Sequence, residues 1–191
     1  MEKQYNKIIL ITAPSGSGKT SIVNHLMKNC PSLAFSVSAT TRLPRKNEKE
    51  GVDYYFISEE NFKKKIHDKE LLEWEMVYEG KYYGTLKSEI SRIWKENKVP
   101  VLDIDVQGAI HVQQQYPINT MALFVQAPSF EELKRRLQRR GSETEQSLQS
   151  RLNKSSFEMT FKKHFENIII NKDFDSACKE AEKIIGDFLK N

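Results

Sequence analysis

The chain has 191 residues, of which 38% are hydrophobic and 29% charged, and its formal net charge is +4. This length fits one compact domain with small inserted subdomains, and the composition is too apolar for a disordered protein. The weak positive charge leaves the partner open, because a nucleic-acid binder needs its basic residues gathered on one face, whereas a small phosphorylated substrate does not.

The cysteines and the amino-terminal region argue against several classes of protein. Cys30 and Cys178 lie far apart and form no C-x-x-C pair, and the histidines show no H-x-x-x-H spacing. This pattern predicts free thiols in a reducing cytoplasm, with neither a zinc site nor a disulfide framework. The apolar run at 8–13 is too short for a signal peptide or a membrane span. We therefore expect a cytoplasmic protein without a membrane partner.

The first predicted elements are a strand and a helix joined by a glycine turn. Residues 8–12 are a β-branched apolar run bounded by Pro14 and Gly16, which is typical of a buried strand. From 19 to 28 the apolar residues follow helical spacing. A strand, a glycine turn and a helix form the opening half of a βαβ unit.

Later apolar runs predict the remaining core. Residues 99–106, 121–125 and 168–170 read as strands, and near-continuous apolar runs favour a parallel sheet that is covered on both faces. Amphipathic spacing predicts helices at 131–139 and 175–189. The expected fold class is α/β with a parallel central sheet.

The segment between about 35 and 83 differs from this core. It is rich in Ser, Thr, Tyr and charged residues, and it has a turn signal at 49–51. Short strands with one helix at 59–69 are predicted here, as an insertion on the parallel core.

Residues 13–20, A-P-S-G-S-G-K-T, match the phosphate-loop pattern G-x-x-x-x-G-K-[ST] except at Ala13. Glycines allow backbone N–H groups to turn toward phosphate oxygens, and the following helix adds the positive end of its dipole. Lys19 is expected to span the β- and γ-phosphates, and the Thr20 hydroxyl to ligate Mg²⁺. The predicted ATP-binding loop comprises Ala13, Pro14, Ser15, Gly16, Ser17, Gly18, Lys19 and Thr20.

Several further motifs resemble the guanylate kinase family. They are F-S-V-S-A-T-T-R-L-P-R at 35–45, G-V-D-Y-Y-F at 51–56, L-E-W at 72–74, Y-Y-G at 82–84, L-D-I-D-V-Q-G at 102–108 and R-G-S-E-T-E at 140–145. The resemblance implies a phosphate-loop three-layer fold with a parallel central sheet, an inserted mixed αβ GMP-binding subdomain and a helical lid. The implied division is a core at 1–34, 96–125 and 157–191, an insertion at 35–95 and a lid at 126–156.

The resemblance also implies an acceptor site for GMP. Arg42 and Arg45 offer two planar guanidinium groups to its phosphate. Guanine presents N1–H and its 2-amino group as adjacent donors, for which a carboxylate is the fitting partner. The implied GMP-binding residues are Tyr54 and Tyr83 at the phosphate, Glu73 and Asp103 at the donor edge of guanine, and Ser38 and Thr85 near its O6.

Asp103 and Asp105 lie near the carboxyl end of the predicted strand 99–106. Carboxylates in an apolar strand are unfavourable unless they have a function, and ligands of open α/β sheets bind at this end. Either carboxylate is expected to orient, through water, the shell of the Mg²⁺ ion held by Thr20.

A basic helix at 133–140 would by itself be a solvated cationic face, and Arg135, Arg136 and Arg139 are expected at the surface. The resemblance implies instead that Arg140 begins a lid in which it closes over ATP together with Arg151, and that Asn171 contacts the adenine side. The implied catalytic residues are Lys19, Arg42, Arg140 and Arg151.

The expected function is phosphoryl transfer from ATP to GMP, and to dGMP, with Mg²⁺ as cofactor, in purine nucleotide metabolism. The partners expected are these small molecules and no nucleic acid, with the chain a monomer or homodimer. Two alternatives stay open. One is a non-catalytic guanylate-kinase-like module that binds a phosphorylated protein, and the other is a kinase for a different small phosphorylated acceptor.

Overall fold

The computed structural model describes residues 6–139 and 145–190. The strands in this part of the chain are β1 (Ile8–Thr12), β2 (Leu33–Phe35), β3 (Ala39–Thr40), β4 (Tyr55–Phe56), β5 (Leu71–Tyr78), β6 (Lys81–Leu86), β7 (Val99–Asp103), β8 (Thr120–Gln126) and β9 (Asn167–Ile170). The helices are α1 (Lys19–Asn29), α2 (Glu59–His67), α3 (Lys87–Lys95), α4 (Val106–Gln115), α5 (Phe130–Gln138), α6 (Glu145–Thr160) and α7 (Phe174–Lys190).

The core is a five-stranded parallel sheet in the order β2-β7-β1-β8-β9. Side chains alternate between its faces along β1, so Ile9 and Ile11 pack with α1 and α7. Ile8 and Leu10 pack on the other face, where α3 and α4 supply apolar residues. Helices therefore cover both faces, and the predicted α/β fold with a parallel central sheet is confirmed.

A second, four-stranded sheet has the order β4-β3-β6-β5. Its β3 and β4 are parallel, whereas β6 is antiparallel to both β3 and β5. It has its own small apolar core, in which Phe62 of α2 packs with Ala39, Leu71 and Leu86. Short strands and a helix were predicted for this segment, and the sheet forms one wall of the site described below.

Helices α5 and α6 follow β8. They pack on each other through Leu133, Leu137 and Leu152, with Ala127 beneath them. None of the helices in the described part of the chain has both the length and the apolar character needed to cross a membrane.

The strand predicted at 99–106 ends earlier than expected, so this part of the prediction is wrong. The strand stops at Asp103, and Asp105 is the N-cap of α4, where its carboxylate accepts a hydrogen bond from the Gly108 N–H at 2.7 Å. Val106 looks like part of the strand in sequence because it is apolar, yet it begins this helix. Asp105 therefore lies beyond the sheet. Helices α3 and α4 were not predicted, and α6 was expected only as part of the helical lid that the resemblance implies.

Candidate active site

The loop between β1 and α1 has the strand–loop–helix context that the sequence predicts. Gly16 and Gly18 have positive φ values of 89° and 94°, a region that residues with a Cβ rarely adopt. Gly18 is also the N-cap of α1, so the positive end of the helix dipole lies at the loop. Both features favour binding of an anion such as phosphate.

Asn171, which directly follows β9, is buried and supports this loop. Its Nδ2 donates a hydrogen bond to the Ser17 carbonyl at 2.8 Å, and a Cβ on Gly18 would overlap the same nitrogen. Arg136, which was expected at the surface, is partly exposed and also donates to the Asn171 carbonyl at 2.9 Å. Gly18, Arg136, Asn171 and Phe174 are among the residues that line a cavity of about 380 Å³. Contact of Asn171 with adenine stays a prediction.

A different cavity, also of about 380 Å³, lies over the phosphate loop and is called the donor cavity below. Seven of the eight predicted loop residues line it, and the eighth, Ser17, is buried. The exposed Thr20 and the side chains of Asp105 and Glu158 bring three sets of oxygen atoms to its wall. The donor cavity therefore combines the loop amides with oxygen ligands suited to a hard cation.

Lys19 reaches from the start of α1 to the carboxyl end of β7. Its Nζ lies 2.5 Å from Asp103 Oδ1 and donates to the Ile104 carbonyl at 3.3 Å. The parallel pairing of β1 with β7, in which Ile11 stands opposite Asp103, sets this approach. Asp103 and Lys19 therefore lie together at the strand ends, as expected for a ligand site in an open α/β sheet.

Another cavity, of about 550 Å³, lies between the second sheet and the strand ends of the core. It is called the acceptor cavity below, after the acceptor site that the resemblance implies. It brings together most of the residues that the resemblance assigned to GMP. The members that line it are Ser38, Arg45, Tyr54, Glu73, Tyr83 and Asp103. The other two, Arg42 and Thr85, are hydrogen-bonded to lining residues.

Glu73 lies on β5 opposite Thr85 of β6 and is 8% exposed. The Thr85 hydroxyl donates to Glu73 Oε1 at 2.6 Å. Burial raises the pKa of Glu73 to about 7, and the Thr85 hydrogen bond only partly offsets the rise. A carboxylate that gains two more donors would regain the ionised form, so this side chain is suited to a ligand with adjacent N–H groups.

At the other end of the acceptor cavity, Arg42 is held in place by its neighbours. Its two terminal nitrogens donate to the Glu48 carboxylate at 2.6 and 2.7 Å, and its Nε donates to the Tyr83 hydroxyl at 3.0 Å. Its guanidinium also stacks over the Tyr54 ring at 4.8 Å. The Arg42 pair lowers the pKa of Glu48 to about 2. Arg45 is exposed at the cavity wall, and a phosphate fork formed by both arginines stays a prediction.

Three site residues were missed by sequence reasoning. Glu75 lies two residues after Glu73 on the same strand, lines the acceptor cavity and has a raised pKa, chiefly because of the neighbouring Asp105 carboxyl group. Lys154 and Glu158 lie on α6 and line the donor cavity. Alternate spacing along β5, and the i, i+3, i+7 spacing from Arg151, are the signals that would have found them.

Of the two predicted lid arginines, Arg140 lies outside the described residues. Arg151, on α6, lines both the donor and the acceptor cavity. Its position agrees with a role between the two nucleotides, and that role stays a prediction.

A phosphate loop whose cavity opens onto a second cavity with its own anion-binding groups is the arrangement of a phosphate-loop kinase. The guanylate kinase family profile matches residues 5–188, and the chain belongs to that family. The resemblance found in the sequence is thus confirmed.

Individual relatives agree with the family profile. A guanylate kinase from Bacteroides fragilis is 42% identical over 183 residues, which span 96% of this chain and 90% of the relative. Another, from Salinibacter ruber, is 43% identical over 184 residues, with 96% and 97% covered. The crystal structure of guanylate kinase from Anaplasma phagocytophilum is similar with a TM-score of 0.78 at 26% identity, covering 99% of this chain and 89% of that one.

Proposed function

We propose that this protein transfers the γ-phosphoryl group of ATP to GMP. The observation that carries the proposal is the buried carboxyl of Glu73 in a cavity that adjoins the phosphate loop. The names of the similar proteins, which are guanylate kinases, point to the same acceptor.

Recognition of the base follows from donors and acceptors. Guanine offers N1–H and its 2-amino group side by side, and an ionised Glu73 accepts from both. Adenine has an acceptor at N1 and no 2-amino group, so the carboxylate would lose both partners. An unpaired buried polar group costs roughly 1–3 kcal/mol, and polar sites of this kind discriminate by about 10⁴-fold.

The transfer is in line and direct, without a covalent enzyme intermediate. The GMP phosphate is already an anionic nucleophile at neutral pH, so no general base is needed. Catalysis then depends on positioning and on positive charge at the transferred group. Lys19, the loop amides and Arg151 supply this charge.

The oxygen ligands that line the donor cavity fit a magnesium ion. Thr20 offers a hydroxyl and Asp105 a carboxylate, and Glu158 Oε2 is buried without a hydrogen-bond partner among the described residues. Oxygen ligands of this kind are those that Mg²⁺ prefers, with water completing its shell. Thr20 would hold the ion directly and Asp105 through water, and the ion would neutralise charge on the phosphates. Asp103 is the less suitable of the two aspartates because it is paired with Lys19.

The non-catalytic alternative has less support. A module that only binds phosphorylated protein has no need for a lysine that reaches a triphosphate. The loop here keeps both Lys19 and Thr20, the residues that contact the phosphates and the metal in a phosphate loop. We also propose that dGMP is accepted, since no carboxylate or amide is assigned to the ribose, and that the reaction returns GMP to the purine nucleotide pool.

An ADP-release assay with ATP, Mg²⁺ and a panel of GMP, dGMP, AMP, UMP and dTMP tests this function. We expect strong turnover of GMP and dGMP and almost none of AMP. Glu73→Gln should lower kcat/KM for GMP and reduce the preference over AMP, whereas Glu79→Gln, an exposed residue of the same hairpin, should change neither. Turnover of AMP or a pyrimidine nucleotide in preference to GMP would assign the enzyme to another acceptor.

A further inference from the structure

The donor and acceptor cavities meet at a junction of five residues. Those that line both cavities are Ser15, Lys19, Asp105, Arg151 and Lys154. A phosphoryl group that leaves a nucleotide in the donor cavity for one in the acceptor cavity must pass this junction. Three of the five side chains are cationic, and Lys154 is the cation among them that the proposed mechanism leaves without a role.

Helix α6 directs Lys154 to the junction. Arg151, Lys154 and Glu158 follow one another at spacings of three and four residues, which places them on one face of the helix. A hydrogen bond joins this helix to the loop, because the Ser155 hydroxyl donates to the Ser15 carbonyl at 3.2 Å. Lys154 is therefore mounted on a helix that is bonded to the phosphate loop itself.

Carboxylates lie on either side of the Lys154 ammonium. Its Nζ is 4.0 Å from Glu158 Oε1 on the donor side. Its charge also lowers the pKa of Glu75 on the acceptor side, against the larger effect of Asp105. The pair with Glu158 is long and the Lys154 side chain is 52% exposed, so this ion pair is weak and the ammonium can move to a stronger anion.

We propose that Lys154 is a further catalytic residue, whose ammonium contacts the phosphoryl group as it passes from the donor to the acceptor nucleotide. The proposal rests on the proposed function. Charge is spread over the oxygens of the transferred group in the transition state, and a cation placed there stabilises that state more than either bound nucleotide. Lys154 then acts beside Lys19 and Arg151, approaching from α6 and not from the loop.

The kinetic test compares Lys154→Met, which keeps the stem but removes the charge, with Lys154→Arg and with Lys163→Met, an exposed lysine beyond α6. We expect Lys154→Met to lower kcat at least roughly tenfold while the dissociation constants of GMP and ATP change less than about threefold. Lys154→Arg should keep most of the activity, and Lys163→Met all of it. Thermal melting of each variant checks that the fold is intact.

A binding test separates contact with the transferred group from a structural role. A bisubstrate compound, with adenosine and guanosine joined by a chain of five phosphates, spans both cavities. Lys154→Met should weaken this compound by a larger factor than GMP or ADP alone, because only the joined chain carries a phosphate between the two nucleotides, where the transferred group passes. Equal factors, or a kcat within twofold of the wild type, overturn the role of Lys154. Wild-type protein that does not phosphorylate GMP overturns the proposed function, and this inference with it.

Discussion

The Thr85 hydroxyl lies 2.6 Å from Glu73 Oε1, across the antiparallel pair of β5 and β6. This bond occupies one carboxylate oxygen and fixes the orientation of the group. The other oxygen, Oε2, lies against Gly108, where a Cβ would approach it to 3.0 Å. Glu73 is thus oriented by Thr85 and confined by Gly108, and its burial still disfavours the charged form more than the Thr85 hydrogen bonding restores it.

The pH dependence of GMP binding follows from this arrangement. Because burial raises the pKa of Glu73 to about 7, much of the group is protonated at pH 6 and little at pH 8. Binding of guanine favours the ionised form, so a proton is released on binding at low pH. We expect the dissociation constant of GMP to fall about tenfold between pH 6 and pH 8 through this group. Isothermal titration calorimetry at several pH values measures it.

Glu73→Gln is the control for this prediction, since the GMP phosphate and Glu75 also titrate in this range. The variant should bind GMP more weakly and should lose the part of the pH dependence that Glu73 contributes. An unchanged pH profile in the variant would show that Glu73 does not titrate on guanine binding.

Lys19→Ala should reduce kcat far more than the affinity for GMP. Its ammonium lies at the junction of the two cavities, where charge changes most as the phosphoryl group leaves. We expect a loss of roughly 10²–10³-fold in kcat. Lys28→Ala, an exposed residue in the last turn of the same helix, is the matched control and should leave steady-state rates unchanged. Near wild-type turnover by Lys19→Ala would show that the loop does not bind the reacting phosphates.

Arg45→Ala should weaken GMP and spare ATP. Arg45 lines the acceptor cavity and does not line the donor cavity, and loss of a charge-assisted hydrogen bond to phosphate weakens binding by roughly tenfold to a hundredfold. Equilibrium titration with each nucleotide measures the two affinities, with Lys46→Ala as the neighbouring exposed control. Equal weakening of GMP and ATP contradicts the separation of the two phosphate sites.

Gly18→Ala tests the support of the loop, and Gly186→Ala, in α7, is a contrasting glycine substitution outside the loop. Gly18→Ala places a Cβ against Asn171 Nδ2 at a φ of 94°, so we expect it to destabilise the fold by about 1–2 kcal/mol or more and to weaken ATP. Gly186→Ala, inside α7, places a Cβ that meets no described atom within 4 Å apart from the nearby backbone of its own helix and its two chain neighbours, and should stabilise the fold by roughly 0.5–1 kcal/mol. Urea unfolding measures both. A Gly18→Ala protein as stable as the wild type would show that the loop does not need this conformation.

Local patterns were sufficient for the sheet core and the phosphate loop. The run Ile8–Thr12 was recognised as β1 because it is a β-branched apolar run bounded by Pro14 and Gly16, and the structure buries all of it. The loop was recognised because its glycines and Lys19 act within a few residues of one another. By contrast, the α4 helix was missed, since Gly108 and a run of glutamines blur its amphipathic pattern and Asp105 acts as a cap only once the strand has ended.

The sequence by itself determined the fold class, the loop, the family and six of the side chains that line the acceptor cavity, because each is encoded in short motifs. Only the tertiary structure decided the depth at which Glu73 is buried, the shift in its pKa and the support of the loop by Asn171. It alone placed Lys154 where the two cavities meet. Burial and the convergence of α6, β5 and the loop depend on contacts between residues distant in the chain, which no local pattern contains.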